Sequence, residues 1–119
     1  MADLHLTGRI WLETADNERF MGIGRLELLG HIQRTGSISQ AAKAMKMSYK
    51  RAWELVSSMN QLAEQPLVIT QTGGSTGGGA IVTDAGVACI TQYQNLQARF
   101  QQFLADETAR LGNERGDVQ

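Results

Sequence analysis

Hydrophobic and polar positions follow two different periods in the first third of this chain. Leu4, Leu6, Ile10 and Leu12 alternate with polar residues, which is the pattern of a half-buried strand with Gly8 in its middle. After a turn predicted at residues 15–17, apolar residues recur every three positions and predict a first, supporting helix. They are Phe20, Ile23, Leu26, Leu29 and Ile32. The chain is therefore expected to open with β structure and to continue as helix.

Two further helices are predicted in close succession, and a serine stands where each begins. Gly36 can end the first helix, and the hydroxyls of Ser37 and Ser48 can accept hydrogen bonds from the free N–H groups of the next two. The second helix has a narrow apolar face formed by Ile38, Ala41, Ala42 and Met45. The third, predicted over residues 48–63, buries a face formed by Ala52, Leu55, Val56, Met59, Leu62 and Ala63. Its opposite face carries Tyr49, Lys50, Trp53, Glu54, Ser57 and Asn60. Two short capped helices in tandem are typical of a helix-turn-helix.

A hairpin and a long helix complete the pattern. Pro66 closes the third helix, and apolar segments at residues 67–71 and 80–83 flank a glycine-rich stretch, which predicts a β-hairpin in the position of a wing. From about residue 84 to Leu111, apolar steps of four and three predict a long helix with a heptad-like seam. That seam consists of Cys89, Tyr93, Leu96, Phe100 and Phe103. It suits pairing with a second subunit, and the alternative is an ordinary amphipathic helix folded back on its own chain.

The expected fold class is mainly α with a small β wing. It is a winged helix-turn-helix with an N-terminal strand and a long C-terminal dimerisation helix. A chain of 119 residues suits one domain, which we place at residues 1–111, with residues 112–119 as a flexible tail because they are polar and contain glycine.

Charge is distributed unevenly along the chain. The formal net charge of −1 lacks the strong basicity of a general nucleic-acid binder. However, five of the eleven cations fall within residues 28–53, a segment without Asp or Glu; they are Arg34, Lys43, Lys46, Lys50 and Arg51. This basic segment could neutralise phosphates, and the alternative on charge alone is a solvated cationic helix face.

Several functional classes receive no support from the sequence. The chain has no apolar run long enough to cross a bilayer and no secretory signal, so we expect a cytoplasmic protein without a membrane partner. Cys89 is the only cysteine, which excludes an internal disulfide and suits a small buried thiol. His5 and His31 fall in different elements, and no catalytic or metal-ligating constellation is visible. The glycine-rich stretch lacks the Lys-Ser/Thr of a phosphate-binding P-loop. We expect no enzyme, no metal and no cofactor.

Four segments together resemble the ModE-type molybdenum regulators, whose N-terminal domain is a LysR-like winged helix-turn-helix. These segments are GSISQAAK (36–43), SYKRAWE (48–54), MNQLAE (59–64) and TGGSTGGGAIVTDAG (72–86). The resemblance implies a homodimer whose first and last helices build the interface, with two recognition helices in successive major grooves of a pseudo-palindrome. It also implies control of molybdate-uptake or molybdoenzyme genes. The implied interface residues are Leu26, Leu29, Tyr93, Leu96, Phe100 and Phe103.

One part of the ModE pattern has no counterpart in this sequence. Full ModE regulators continue into small β-barrel domains that bind the oxyanion, whereas this chain ends at Gln119. Oxyanion binding is therefore not expected in this chain. Two alternatives stay open, a stand-alone DNA-binding member regulated in another way and a sensor on a separate polypeptide.

Candidate DNA contacts are chosen by chemistry and position. Lys50 and Arg51, at the start of the recognition helix, can contact phosphate or guanine O6 and N7. Trp53 can press against thymine methyl groups, or it can fold onto the wing or the second helix as core. The start of the second helix and the hydroxyls of the wing can contact phosphates. The full set is Ser37, Ser39, Gln40, Lys43, Ser48, Tyr49, Lys50, Arg51, Trp53, Thr72, Ser75 and Thr76.

A second function remains compatible with the same fold. Winged helices also serve as protein-interaction modules, and Tyr49 and Trp53 would then anchor a partner protein without DNA binding. The basic segment favours DNA, since a protein-docking face has no general need of five cations without a counter-charge.

Overall fold

The computed structural model describes residues 3–71 and 79–117. Two short strands come first, followed by three helices, a hairpin and a long helix. In chain order they are β1 (Leu12–Glu13), β2 (Arg19–Met21), α1 (Ile23–Thr35), α2 (Ile38–Ala44), α3 (Tyr49–Leu62), β3 (Val68–Gln71), β4 (Gly79–Val82) and α4 (Asp84–Asp117). This is the expected mainly helical fold with a small β wing. The chain divides into two compact units, one of residues 11–93 and one that joins residues 1–10 to residues 94–119.

The N-terminal strand is much shorter than predicted. Only Leu12 and Glu13 pair with β2, in an antiparallel hairpin whose turn includes Asn17 at φ 67°. The prediction of a half-buried strand from Leu4 onward is wrong, because β2 has three residues and offers no longer edge to pair with. Leu4 and Leu6 are exposed instead.

α1 begins later than its apolar spacing predicts. Phe20 belongs to β2, and Ile23 is exposed, whereas Leu28, Leu29 and Ile32 are buried. The reason is geometric: each residue turns an α-helix by about 100°, so positions nine apart, such as Ile23 and Ile32, lie on opposite sides. A stripe with strict steps of three cannot stay on one face.

Serine caps fix the start of both following helices, as predicted. The Ser37 hydroxyl accepts from the backbone N–H of Gln40 at 3.1 Å, and the Ser48 hydroxyl accepts from that of Arg51 at 3.0 Å. α2 buries Ile38, Ala41 and Ala42, and α3 buries Ala52, Val56 and Met59. These two faces meet the buried residues of α1 in the core of the larger unit, so the opposite side of α3 is left outside the core.

The wing is a register-matched hairpin tied to the helices at both ends. β3 and β4 pair antiparallel from Val68↔Val82 to Gln71↔Gly79. Gly36, at φ 70°, ends α1 in the left-handed conformation that glycine tolerates, and its carbonyl accepts from the Ala80 N–H at 2.9 Å. The predicted wing-tip contacts Thr72, Ser75 and Thr76 lie outside the described residues.

The joint between the wing and α4 is a single residue. The Thr83 hydroxyl donates to the Pro66 carbonyl at 2.7 Å and accepts from the Gly86 N–H at 3.0 Å, which caps α4. Gly86 lies so close to the Leu67 carbonyl oxygen that a Cβ would stand 2.4 Å from it. A residue with a side chain would therefore force β3 and α4 apart.

α4 runs to Asp117 and so extends past its predicted end near Leu111, while the flexibility of residues 112–119 stays a prediction. A single Gly112 costs about 1 kcal/mol in a helix interior, and no proline follows to stop the helix. No helix within the described ranges is both long and apolar enough to span a membrane.

The proposed dimer residues differ in how accessible they are. Leu29 and Tyr93 are buried within the single chain, where they belong to the protein's own core; their part in a dimer interface stays a prediction. Leu26, Leu96 and Phe100 are half-buried. Phe103 is 51% exposed, and its ring stacks on that of Phe100 at 6.4 Å between centroids.

Candidate nucleic-acid interface

The outer face of α3 presents aromatic and cationic side chains from its first two turns. Tyr49 is 53% exposed and Trp53 is 36% exposed, and Lys50 is exposed between them. Ala52, which points away from Lys50 on the same helix, is completely buried. The helix therefore keeps its apolar side in the core and directs large polar and aromatic groups away from it.

Tyr49 and Trp53 act as one structural unit. The indole Nε1–H of Trp53 donates to the Tyr49 hydroxyl, one helical turn away. Both side chains line a cleft of about 230 Å³ whose other walls come from the start of α2 and from the wing, including Ser37, Ser39 and Thr70. Trp53 thus rests against α2 and the wing while keeping a third of its surface exposed. It is neither pure core nor a freely projecting side chain.

The cations of the basic segment occupy different environments. Lys43, Lys46 and Lys50 are exposed, and Lys46 forms the turn between α2 and α3 at φ 57°. The Arg51 guanidinium lies 3.9 Å from Glu54, the first acid after the segment. Arg34, at the end of α1, contacts His31 Nδ1 at 3.2 Å. The lysines thus cluster around the turn and the start of α3.

The start of α2 presents polar groups beside this face. Ser39 and Gln40 are exposed, whereas Ser37 is half-buried and its oxygen is engaged by the Gln40 N–H. Ser48 is likewise exposed but engaged as a cap. Both capping serines therefore have a structural role, because their hydrogen bonds fix where the helices begin. This role is independent of any contact with a ligand.

Asn60 has a structural role that its position in the sequence conceals. The apolar pattern places it on the exposed face of α3, which is wrong: its side chain is half-buried and holds the wing. Its Oδ1 accepts from the N–H groups of Leu67 at 2.8 Å and Val68 at 3.2 Å, and its Nδ2 donates to the Val68 carbonyl at 2.9 Å. The one sequence feature that points to this role is the residue type. Asparagine tends to hydrogen-bond nearby backbone groups and is therefore disfavoured inside a helix.

Arg25 is a second residue that sequence reasoning missed. Its Nη1 donates to the carbonyls of Arg19 at 2.8 Å and Phe20 at 3.3 Å, and to the Ser58 hydroxyl at 3.1 Å. Partial burial lowers the pKa of Arg25, and the charges of Arg51 and Arg19 lower it further. Arg25 therefore fastens β2 and α3 to the start of α1.

Comparison with known proteins identifies the family to which the chain belongs. The sequence model of the family described as bacterial regulatory helix-turn-helix protein, lysR family, matches residues 23–87. The chain belongs to the LysR family of bacterial regulatory helix-turn-helix proteins. That match spans α1 through the start of α4, the part of the chain that carries the face described above. As a member of this family, the chain is a regulatory helix-turn-helix protein.

LysR-family membership is accompanied by similarity to molybdenum-related regulators. The chain is 50% identical over 82 residues to the DNA-binding transcriptional dual regulator ModE of Escherichia coli K12, covering 69% of this chain and 31% of that protein. It is 42% identical over 96 residues to the molybdenum transport protein ModE of Azotobacter vinelandii, covering 80% and 36% respectively. The chain thus spans about a third of the length of these relatives. Its resemblance to ModE-type regulators is confirmed for that part.

Solved structures support the winged fold of this LysR-family chain. A DNA complex of S. aureus MepR aligns with a TM-score of 0.54 at 15% identity, covering 83% of this chain and 79% of that one. A mutant of the same protein aligns with a TM-score of 0.58 at 14% identity, covering 83% and 80%. At such low identity the likeness concerns the fold alone.

Proposed function

We propose that this chain binds double-stranded DNA as a homodimer, with the first turns of α3 in the major groove of each half-site. One observation carries the proposal: Tyr49, Lys50 and Trp53 are exposed on the first turns of α3, whereas Ala52, Val56 and Met59 of the same helix are buried in the core. A recognition helix needs this division, because its N-terminal residues meet base edges while its other face is held by the domain.

Charge around this helix supports contact with a polyanion. The exposed lysines Lys43, Lys46 and Lys50 lie in the segment without acidic residues, at the end of α2, in the turn and at the start of α3. Each can neutralise a phosphate, and Lys50 can also reach guanine O6 or N7. Ser39 and Gln40 at the start of α2 are suited to a second set of phosphate contacts.

Dimerisation is supported by the unit that contains most of α4. In that unit residues 3–10 lie along the helix: the Leu6 N–H donates to the Thr108 hydroxyl at 2.8 Å, and Gly8 approaches the Phe100 ring. Leu4, Leu6 and Phe103 are exposed there. One helix with one extended segment offers little surface to bury these groups, and a second copy of the same unit would cover them.

Regulation of molybdate-uptake or molybdoenzyme genes is the finer part of the proposal. It is supported by the names of the relatives, ModE and the molybdenum-pterin-binding protein MopB of Rhodobacter capsulatus, the latter 41% identical over 98 residues. The corresponding prediction is selective affinity for promoters of such genes.

The first experiment is fluorescence anisotropy with a pseudo-palindromic promoter duplex of a molybdate-uptake gene and with its scrambled counterpart. Each duplex is titrated at several salt concentrations, with and without molybdate. Tighter binding to the promoter with a steep salt slope is expected, because phosphate contacts release counterions. Absence of binding to either duplex at low salt would refute the proposal and direct attention to a protein partner of Tyr49 and Trp53.

The double substitution Lys50→Ala/Arg51→Ala tests the recognition helix directly. Affinity should fall, and the slope of log K against log salt should flatten by about 0.9 for each phosphate contact that the substitutions remove per subunit. Arg99→Ala, which removes an exposed cation from α4, is the control and should leave the slope nearly unchanged. Unaltered affinity in the double variant, with dimer mass preserved, would remove α3 from the interface.

A further inference from the structure

Three arginines converge on one cavity beside the recognition helix. The cavity, of about 300 Å³, lies among the β1–β2 hairpin, the start of α1, the turn after α2 and the first turns of α3. Its walls include Arg19, Arg25 and Arg51, and no acidic residue is among the described residues that line it. Three guanidinium groups around one space repel one another, and the cost of that repulsion falls when an anion lies between them.

Existing contacts position these guanidinium groups without neutralising them fully. Arg19 lies over the Trp11 ring, 4.2 Å from its centroid, and its Nε is 3.6 Å from Glu13. Arg51 is 3.9 Å from Glu54, and all four side chains of these two pairs are more than 40% exposed. Ion pairs that are this long and this exposed are weak. The three hydrogen bonds that Arg25 donates go to neutral carbonyl and hydroxyl oxygens, so none of them places a carboxylate beside its charge.

The start of α1 adds to the positive electrostatic potential in this cavity. Gly22 precedes α1 without a side-chain cap, and the first turn contains no acidic residue. Gly24 also lines the cavity, and the space where its Cβ would stand is open. The partial positive charge of a helix N-terminus therefore faces the arginines without a competing carboxylate.

We propose that this cavity, formed around Arg19, Arg25 and Arg51, binds a phosphate group. Arginine forks are suited to phosphate oxygens, and three of them can engage one tetrahedral anion from different sides. A phosphate site would depart from the expectation that this chain binds no oxyanion, which followed from the lack of a counterpart to the molybdate-binding domains; the cavity lies within the winged-helix unit. The phosphate comes either from the backbone of bound DNA, in which case the inference rests on the proposed function, or from a free phosphate ion.

The free ion is tested with inorganic phosphate and the fluorescence of Trp11. The chain has two tryptophans, so Trp53→Phe leaves Trp11 as the single reporter beside Arg19. Phosphate is titrated at constant ionic strength, and a saturable change in emission is expected. In the same background, Arg51→Gln should weaken phosphate binding about tenfold, the size of effect expected for one charge-assisted hydrogen bond. The matched control Arg99→Gln should not weaken it.

The DNA source is tested with the Arg19→Gln variant and the promoter duplex. If a DNA phosphate occupies the cavity, the salt slope falls by about 0.9 per subunit relative to the wild type, and Arg99→Gln retains the wild-type slope. Arg25 is left unchanged in both tests because its hydrogen bonds hold β2 and α3.

The two tests together decide whether the cavity is a phosphate site. A saturable phosphate response that depends on Arg51 with an unchanged slope for Arg19→Gln identifies a free phosphate site. A reduced slope, with or without that response, identifies a DNA phosphate. The absence of both overturns the proposal. If the wild type binds no duplex at all, the proposed function fails by itself, and the phosphate titration alone decides whether the cavity is a site.

Discussion

Two hydroxyl groups determine where the helix-turn-helix begins and where its second helix begins. Ser37 and Ser48 each satisfy a backbone N–H that the following helix leaves free. α2 has only seven residues, so few internal hydrogen bonds are available to hold it, and its cap contributes a large share. The orientation of the exposed side chains on α2 and α3 therefore depends on serines that need not contact a ligand themselves.

Replacement of Ser48 by alanine should destabilise the fold by about 1 kcal/mol, because the N–H of Arg51 loses its acceptor. Urea unfolding followed by circular dichroism measures the change. Ser48→Asp, which retains an acceptor oxygen, should recover most of the missing stability. Ser39→Ala, an exposed position inside α2, is the control. Equal stability of the Ser48→Ala variant and the wild type would show that the cap contributes nothing.

Cys89 should react slowly as long as the protein is folded. Burial raises the pKa of its thiol, so at neutral pH the folded protein holds less thiolate than the unfolded chain, and thiolate is the form that is alkylated. Iodoacetamide labelling read by mass spectrometry should be slower in the native protein than in urea. The native rate should rise only at a more alkaline pH than the rate in urea. Equal rates at neutral pH would contradict burial of the thiol.

At the scale of elements, the side-chain amide of Asn60 fastens the wing to α3. Asn60 makes three hydrogen bonds with the backbone at the start of β3. Since Gly36 also bonds to β4, the wing is fastened to the ends of two helices. These hydrogen bonds therefore fix the position of the hairpin relative to α3.

The substitution Asn60→Ala should cost about 2–3 kcal/mol, since it leaves partly buried backbone groups of Leu67 and Val68 without partners. Thermal unfolding and amide hydrogen exchange measure the loss. Exchange should accelerate most in β3 and β4. Ser57→Ala, an exposed position on the same helix, should change stability by less than about 0.5 kcal/mol. A small effect of Asn60→Ala, similar to this control, would refute the fastening role.

The elements themselves are largely predictable from the sequence, because caps, glycine ends and apolar periods are local signals. Ser37, Ser48 and the hairpin around the glycine-rich stretch are found in this way. Failures arise where a distant partner decides the outcome. The alternation from Leu4 to Leu12 predicts a strand, but a strand also requires an edge of equal length. The contacts of Asn60 and Arg25, and the cavity that Arg25 lines, depend on chain segments brought together only by folding.

At the scale of the whole molecule, the single chain leaves apolar side chains exposed that association with a second copy would bury. The unit formed by residues 1–10 and 94–119 presents Leu4, Leu6 and Phe103 to solvent. Leu104 is the only residue of that unit among the buried apolar side chains of the described chain. Two binding units on one dimer also raise affinity for a two-fold site without any new contact to each half-site.

Phe103→Lys should therefore convert the dimer to a monomer and weaken binding to a palindromic duplex by at least about tenfold. The new charge would be buried at the interface, whereas the unit of residues 11–93 contains no substitution. Sedimentation velocity gives the mass, and circular dichroism confirms folding. Ala105→Lys adds the same charge at an exposed position of α4 and is the control. A dimeric Phe103→Lys protein would show that association uses another surface.

Thr83 ties the base of the wing to the helix that follows it. Its hydroxyl engages both Pro66 and Gly86, and Gly86 approaches Leu67 too closely for any side chain. The base of the wing and the first turn of α4 are therefore expected to move together. A signal that shifts the start of α4 should be passed directly to the base of the wing.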